Sequence, residues 1–222
     1  MRSSPPPISS DPTLPFKYVG GDPSLELVNT VDWTARGLES ERLTDYERLT
    51  RWAEGAGVLS PDEGERLRRE AARRPDEAAA AYELARWLRW VLQRVFTTVA
   101  AGERPGEPLD ELNEILAETL GRLRIVLGDE TAPDARALRW GWDGMGERLD
   151  SVLWPVVRSA AELLASDEAG RVHVCAGPDC GWMYVDRSRN RLRRWCQMGS
   201  CGTREKSRRR ARRPAPNADR PS

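Results

Sequence analysis

Apolar residues recur at three- and four-residue steps over most of this chain, the spacing that gathers side chains on one face of a helix. The longest run starts near Asp76, where Leu84, Trp87, Leu88, Val91, Leu92, Val95 and Phe96 share a face, and it predicts the central helix of a core. Gly102, Pro105, Gly106 and Pro108 end that run, after which Leu109, Leu112, Ile115, Leu116 and Leu120 predict another helix. Two earlier helices, 45–56 and 61–73, are marked by hydroxyl residues three positions ahead of a glutamate: Thr44 with Glu47, and Ser60 with Glu63, where Pro61 occupies the first turn. Asp22-Pro23 opens a shorter apolar stretch, Leu25, Leu27, Val28, Val31 and Trp33, that predicts a first helix. From Arg148 to Ala165 the helical pattern returns in Leu149, Val152, Leu153, Val156, Val157, Ala160 and Leu164, kinked or restarted at Pro155. Residues 123–127 and 137–142 are short and rich in β-branched or aromatic side chains, so they predict the two strands of a small hairpin.

Beyond Ser166 the helical periodicity stops and cysteines begin. All four lie within 27 residues: Cys175 and Cys180 are separated by four residues, Cys196 and Cys201 again by four, with fifteen between the pairs. Two short loops closed by paired thiolates supply the tetrahedral ligand set that Zn²⁺ requires, and Gly177-Pro178 gives the first loop its tight turn. Four sulfur ligands leave no open position for water, so the ion is structural. Two disulfides are the competing use of these cysteines, and His173 is a competing ligand two residues before Cys175. Between the pairs, Trp182, Tyr184 and Val185 predict a strand, Arg187 to Asn190 a turn, and Leu192 to Trp195 a returning strand. Residues 203–213 then predict a helix that stops at Pro214. The expected fold is a mainly α-helical domain with a small β-hairpin, followed by a treble-clef-like zinc finger of knuckle, hairpin and helix.

At 222 residues and 39% hydrophobic, the chain can bury one core and carry one small appended module. Its 35 basic and 35 acidic residues cancel to +0, but they are segregated. From Arg171 to Ser222, 14 basic residues stand against four acidic ones, a net charge of +10, which leaves −10 for the rest. Arg187, Arg189, Arg191, Arg193 and Arg194 crowd the predicted hairpin, and Arg204, Lys206, Arg208, Arg209, Arg210, Arg212 and Arg213 surround the predicted helix without an apolar stripe. Like charges four apart, such as Arg204 with Arg208, repel one another, and an external polyanion relieves that cost. A four-thiolate zinc centre has a formal charge of −2 and can neutralise only a few of these arginines. The expected partner is nucleic acid, with DNA and RNA both open.

No stretch approaches the roughly 18 apolar residues that span a membrane, and the Ser/Pro-rich start lacks the apolar region of a signal peptide. A soluble cytoplasmic protein is expected, in a reducing compartment where clustered cysteines hold metal rather than form disulfides. Pro5, Pro6, Pro7, Pro12 and Pro15 predict a flexible arm over 1–17, and residues 214–222 are expected to be disordered.

The finger resembles the bacterial CGNR zinc-finger family, whose N-terminal part is the ABATE domain. The similarity is carried by Val174-Cys175, Cys180-Gly181-Trp182, Asp186-Arg187-Ser188-Arg189-Asn190, Arg194-Trp195-Cys196-Gln197-Met198 and Cys201-Gly202-Thr203-Arg204. Upstream, the runs from Gly20 to Thr30 and from Leu153 to Leu164 also resemble the family's motifs. The resemblance implies a stress-related transcription regulator, with an ABATE-like domain over 18–166 and a finger over 167–213. It further implies that the four cysteines bind zinc and that the basic helix contacts DNA. Thr203 replaces the family's eponymous asparagine, and is expected to cap the helix in its place. The helical domain is then a ligand or stress sensor of unknown effector.

Two other function classes compete. A zinc-stabilised adaptor would use the same basic surface to grip RNA or a protein. An enzyme would need a site in the body, where Glu26, Asn29, Asp32 and Trp33 form a polar group, and Trp87, Trp90, Trp140, Trp142 and Trp154 could line a cavity. Core packing accounts more simply for the tryptophans, and His173, the single histidine, excludes most hydrolytic triads.

Overall fold

The computed structural model describes residues 9–11, 13–34, 37–127 and 138–211. Most of the expected arm and all of the expected tail lie outside them, although Ser9–Ser10 forms a short strand β1 and Phe16 packs on the core. Helix α1 spans Pro23–Val28 and is capped by Asp22, whose carboxylate accepts from the Ser24 N–H at 2.9 Å. The apolar stretch continues to Trp33 in sequence, but the helix ends at Asn29. The β-branched Thr30 and Val31 turn the chain into strand β2, Val31–Thr34, which pairs antiparallel with β3, Gly37–Glu41. Strand β1 joins the other side of β3 in parallel.

Helices α2, Tyr46–Gly55, and α3, Pro61–Arg73, fall where the sequence places them. Ser60 and Glu63 close a reciprocal capping box at the start of α3. At α2 the cap is Asp45 and not Thr44, because its carboxylate reaches the Arg48 N–H at 2.7 Å. Helix α4, Pro75–Ala100, is the spine, packing against α1, α2 and α5, Gly106–Leu120. Strands β4, Leu123–Leu127, and β5, Leu138–Trp142, form the expected antiparallel ribbon. A 3₁₀ turn over Leu149–Leu153 leads into α6, Trp154–Leu164, so Pro155 starts a helix afresh. No helix among the described residues is long and apolar enough to cross a membrane.

An ion pair is buried in the body. The guanidinium of Arg89, on α4, holds the Glu41 carboxylate and also donates to the Thr30 hydroxyl at 2.9 Å. Both charged side chains are at most 3% exposed, so they lock the β2–β3 hairpin onto the spine.

The finger's hairpin is built from different strands than the sequence suggests. Strand β6, Val172–Val174, pairs antiparallel with β7, Met183–Val185, and the first cysteine loop joins them. Residues 192–195 form no strand. Their carbonyls instead receive the Tyr184 hydroxyl, at Arg193, and the Ala176 N–H, at Arg194.

Ser166 bounds the helical pattern in sequence, yet the core does not stop there. Trp182, Met183, Tyr184 and Val185 are buried in the same apolar cluster as Leu25, Val28 and Val31. The N–H groups along the outer edge of β7 are satisfied by the body. The N–H of Gly181 donates to Trp33 O at 2.7 Å, that of Met183 to Asn29 Oδ1 at 2.8 Å, and that of Val185 to Gly20 O at 2.8 Å. Asn29 Nδ2 returns a bond to Met183 O at 2.8 Å. Alternate residues thus find partners as they would on a third strand. The approach is close enough to exclude a side chain, because a Cβ on Gly181 would lie 2.6 Å from Trp33 Cβ.

Two outcomes follow from this seam. Replacing Asn29 with Ala strands a buried N–H and C=O of Met183, and is expected to cost about 2–4 kcal/mol in denaturant unfolding. A chain ending at Asp167 uncovers the apolar side chains beneath β7, and is expected to lose the cooperative thermal transition of the full chain. A truncated chain as stable as the whole would show that the shared core is dispensable.

Candidate metal centre

Each cysteine is placed by local backbone chemistry. Cys175 continues the β6–β7 ladder, its N–H donating to Trp182 O at 2.8 Å. The loop then turns sharply, with Asp179 in the left-handed region at φ +59° and the Cys180 N–H on Gly177 O at 3.2 Å. Gly177 cannot carry a side chain easily, since a Cβ there would sit 3.3 Å from Cys180 Cβ and from Cys201 Sγ. The second pair is joined by a wide helical turn, Met198–Gly202, that runs directly into α7, Thr203–Ala211. Cys201 therefore stands at the foot of the helix.

The four sulfurs converge, all within 4.8 Å of one another, with Cys175, Cys196 and Cys201 buried and Cys180 half-buried. Bonds of about 2.3 Å to a tetrahedral ion imply sulfur separations of about 3.8 Å. The Cys180–Cys196 and Cys196–Cys201 separations are 3.8 and 3.7 Å, so the donor set fits the ion. The sulfurs are also solvated by the protein. Cys175 Sγ accepts from the Cys196 N–H at 3.2 Å and the Gly177 N–H at 3.4 Å, while Arg204 donates to Cys201 Sγ at 3.4 Å. This makes one structural Zn²⁺ the cofactor of the finger.

The electrostatics of the set point the same way. Thiol donation from Cys180 and Cys196 pulls Cys175 down to about 2. Bonding to that thiolate, with burial, holds the Cys180 thiol up at about 12, and the Cys196 thiol is raised further still. Without a cation the cluster thus favours one thiolate and resists the others. A dication held by these four sulfurs would favour the thiolate form of each and compete with the remaining protons.

His173 is not among the ligands. It lies in β6 opposite Tyr184, with ring centroids 5.9 Å apart. Thr203 does not cap the helix either, because it is already helical and its hydroxyl donates back to Met198 O at 3.1 Å.

The basic residues divide into two groups. Arg187 and Arg193 are engaged by the molecule's own groups. Arg187 pairs with Glu168 at 2.7 Å and donates to Gly21 O, while Arg193 lies 4.1 Å over the Tyr184 ring and donates to Val19 O, Trp195 O and Cys196 O. With Val185 on Gly20, three consecutive body carbonyls accept from the finger. The loop that presents them is shaped by Glu26, which accepts from the Gly21 and Val19 N–H groups at 2.9 and 3.0 Å.

Arg189, Arg191, Arg194, Arg204, Lys206, Arg208 and Arg210 are exposed. Arg208 pairs with Glu205 and Arg194 lies over Trp195, whereas Arg189, Arg191, Lys206 and Arg210 have no ion pair among the described residues. Arg209 lies in α7 without a described side chain, and Arg212 and Arg213 fall outside the described residues.

Sequence reasoning missed the residues that mount the finger, among them Asn29 and Arg42. A signal existed for Asn29, a polar residue one step past an apolar helix face. Trp182 is a packing residue, its indole N–H on Val31 O at 3.0 Å and its ring faced by Arg42 and Lys17. The polar group read in the body divides: Glu26 and Asn29 are buried and hydrogen-bonded, whereas Asp32 and Trp33, each with a partner of its own, line a cleft beside Cys180 and Cys201. Of the five tryptophans, Trp154 alone lines the cleft described below, while Trp87 is in the core and Trp90 stacks on Trp33.

A helical body that completes the sheet edge of a four-cysteine module defines a zinc-finger protein. Residues 21–167 match the ABATE family, described as "Putative stress-induced transcription regulator", and residues 171–213 match the CGNR zinc finger. The chain belongs to the ABATE family. A comparison with curated proteins gave no match.

Two measurements check the centre. Elemental analysis of the full chain is expected to give one zinc per chain. Bound zinc is expected to leave as pH falls, because protons compete for thiolate sulfur, and Cys180→Ser is expected to shift that release to higher pH.

Proposed function

We propose that this protein is a cytoplasmic transcription regulator that binds duplex DNA through its zinc finger. One observation carries the reading: no described side chain of α7 is buried, and the helix presents Arg204, Lys206, Arg208 and Arg210 around it, beside the exposed Arg189, Arg191 and Arg194 of the finger loop. A helix charged on every side gains nothing from its own domain, whereas phosphate relieves its self-repulsion and releases counterions. Arg204 approaches both the Cys201 sulfur and the solvent side, which makes it the candidate to read a base edge. The family description supports regulation as the role.

The body supplies the sensing half of this proposal. Its cleft of about 340 Å³ is lined by Ile115, Glu118, Arg122, Arg148, Asp150 and Trp154, among others. Arg148 is neutralised by Asp150, but the Arg122 guanidinium lies 5.7 Å over the Trp154 ring with no ion pair among the described residues. With Arg122 and the acid Glu118 both on a part-apolar lining, the cleft suits a small polar organic effector.

The test is DNA affinity of the zinc-loaded full chain against salt. Engagement of about five phosphates gives a slope near −4.5 in log affinity against log salt, and Arg189→Ala or Lys206→Ala each flatten it by about 0.9. Arg193→Ala is expected to lower stability instead. Affinity that ignores salt would sink the DNA reading, and preferential competition by bulk RNA would replace it with the RNA adaptor.

A further inference from the structure

The β4–β5 ribbon has a face that the described chain leaves in water. Side chains alternate across a strand, so Leu123, Ile125 and Leu127 share one face with Trp142, Trp140 and Leu138 in register opposite them. At the inner end Trp142 leans on Trp154 of α6, with ring centroids 5.9 Å apart. Further out the cover is lost: Trp140 is 54% exposed, Ile125 55%, Leu127 67% and Leu138 70%, and Leu120 at the end of α5 adds 43%. The charged residues of the ribbon, Arg124 and Arg139, belong to the other face. Soluble monomers rarely expose a contiguous apolar patch of this kind, and a two-stranded ribbon is marginal alone. Residues 128–137, which join the strands in sequence, contain no apolar side chain larger than proline.

We propose that a second copy of this chain docks here, ribbon face against ribbon face about a two-fold axis. Three features select that occupant. The strands place no acid or base on this face, and Arg158, which lies over the Trp140 ring, is neutralised by Glu162, so nothing there specifies a charged partner, while an apolar patch is complementary to its own copy. The exposed parts of these five side chains amount to roughly 500 Å² a side, which with a polar rim reaches the size of a stable interface. The Arg158–Glu162 pair supplies such a rim, Arg158 lying 5.3 Å over the Trp140 ring. Pairing of strand edges would widen the sheet and leave the same side chains wet, so the contact is face to face.

The test is the mass of the zinc-loaded full chain by light scattering at roughly 50 μM, a concentration suited to interfaces of this size. Twice the chain mass of 25.0 kDa is expected. Leu127→Lys and Leu138→Lys, both at positions more than 60% exposed, are expected to give single-chain mass with unchanged thermal unfolding. Leu192→Lys, on the finger and 75% exposed, is expected to leave the dimer intact. A monomeric wild type overturns the proposal, and so does a dimer that survives both ribbon substitutions, because another surface then makes it.

Discussion

The outer edge of β7 is the constraint from which the rest of the arrangement follows. Three residues and a metal knuckle cannot close a core, and an unpaired strand edge beneath buried side chains costs about 1–3 kcal/mol for every stranded N–H. The body removes that cost by presenting Trp33 O, Asn29 and Gly20 O at the spacing of alternate strand residues. Meeting that spacing explains why α1 stops at Asn29, why the following chain extends as β2, and why Glu26 is buried to shape the 19–21 loop. Burial pushes the Glu26 carboxyl above its usual range, and the N–H groups of Gly21, Gly20 and Val19 pull it back. The body tolerates that opposition because the loop it holds supplies three acceptors to the finger.

Much of this was legible in the sequence, and the exceptions share a cause. The amphipathic runs that became α3, α4, α5 and α6 are long, and their cores are internal to the pattern. The cysteine spacing was equally plain, because ligand geometry is local. What failed depended on residues far apart in the chain. Val31 and Trp33 continue an apolar run and are strand all the same, since β3 and the finger lie on either side of them. Residues 192–195 resemble a strand by propensity, but β6 reaches β7 first through the loop that the first cysteine pair closes. Thr44 lost the cap of α2 to its neighbour Asp45, whose carboxylate is the stronger acceptor for a helix N-terminus.

The arginines show the same limit from the side of function. Counting charge finds a basic surface, but it cannot separate Arg193, folded over Tyr184 beneath three carbonyls, from Arg191, held in solvent at φ +51°. The two differ by position in sequence alone until the body is in place. Charge segregation therefore locates the surface, and the packing of the finger decides which members of it remain free for a partner.

Gly181 carries one further consequence, for inheritance rather than for chemistry. Its α-carbon sits so near Trp33 that no side chain fits between body and finger, and Asn29 must meet Met183 at the same seam. Such a finger is not a cassette that can be moved between proteins by joining ends. A finger transplanted from a distant relative would arrive without the strand edge, the glycine and the carbonyls cut to receive it. Its α1 and β2 would have to travel with it, and the two regions can change in evolution only as a matched pair.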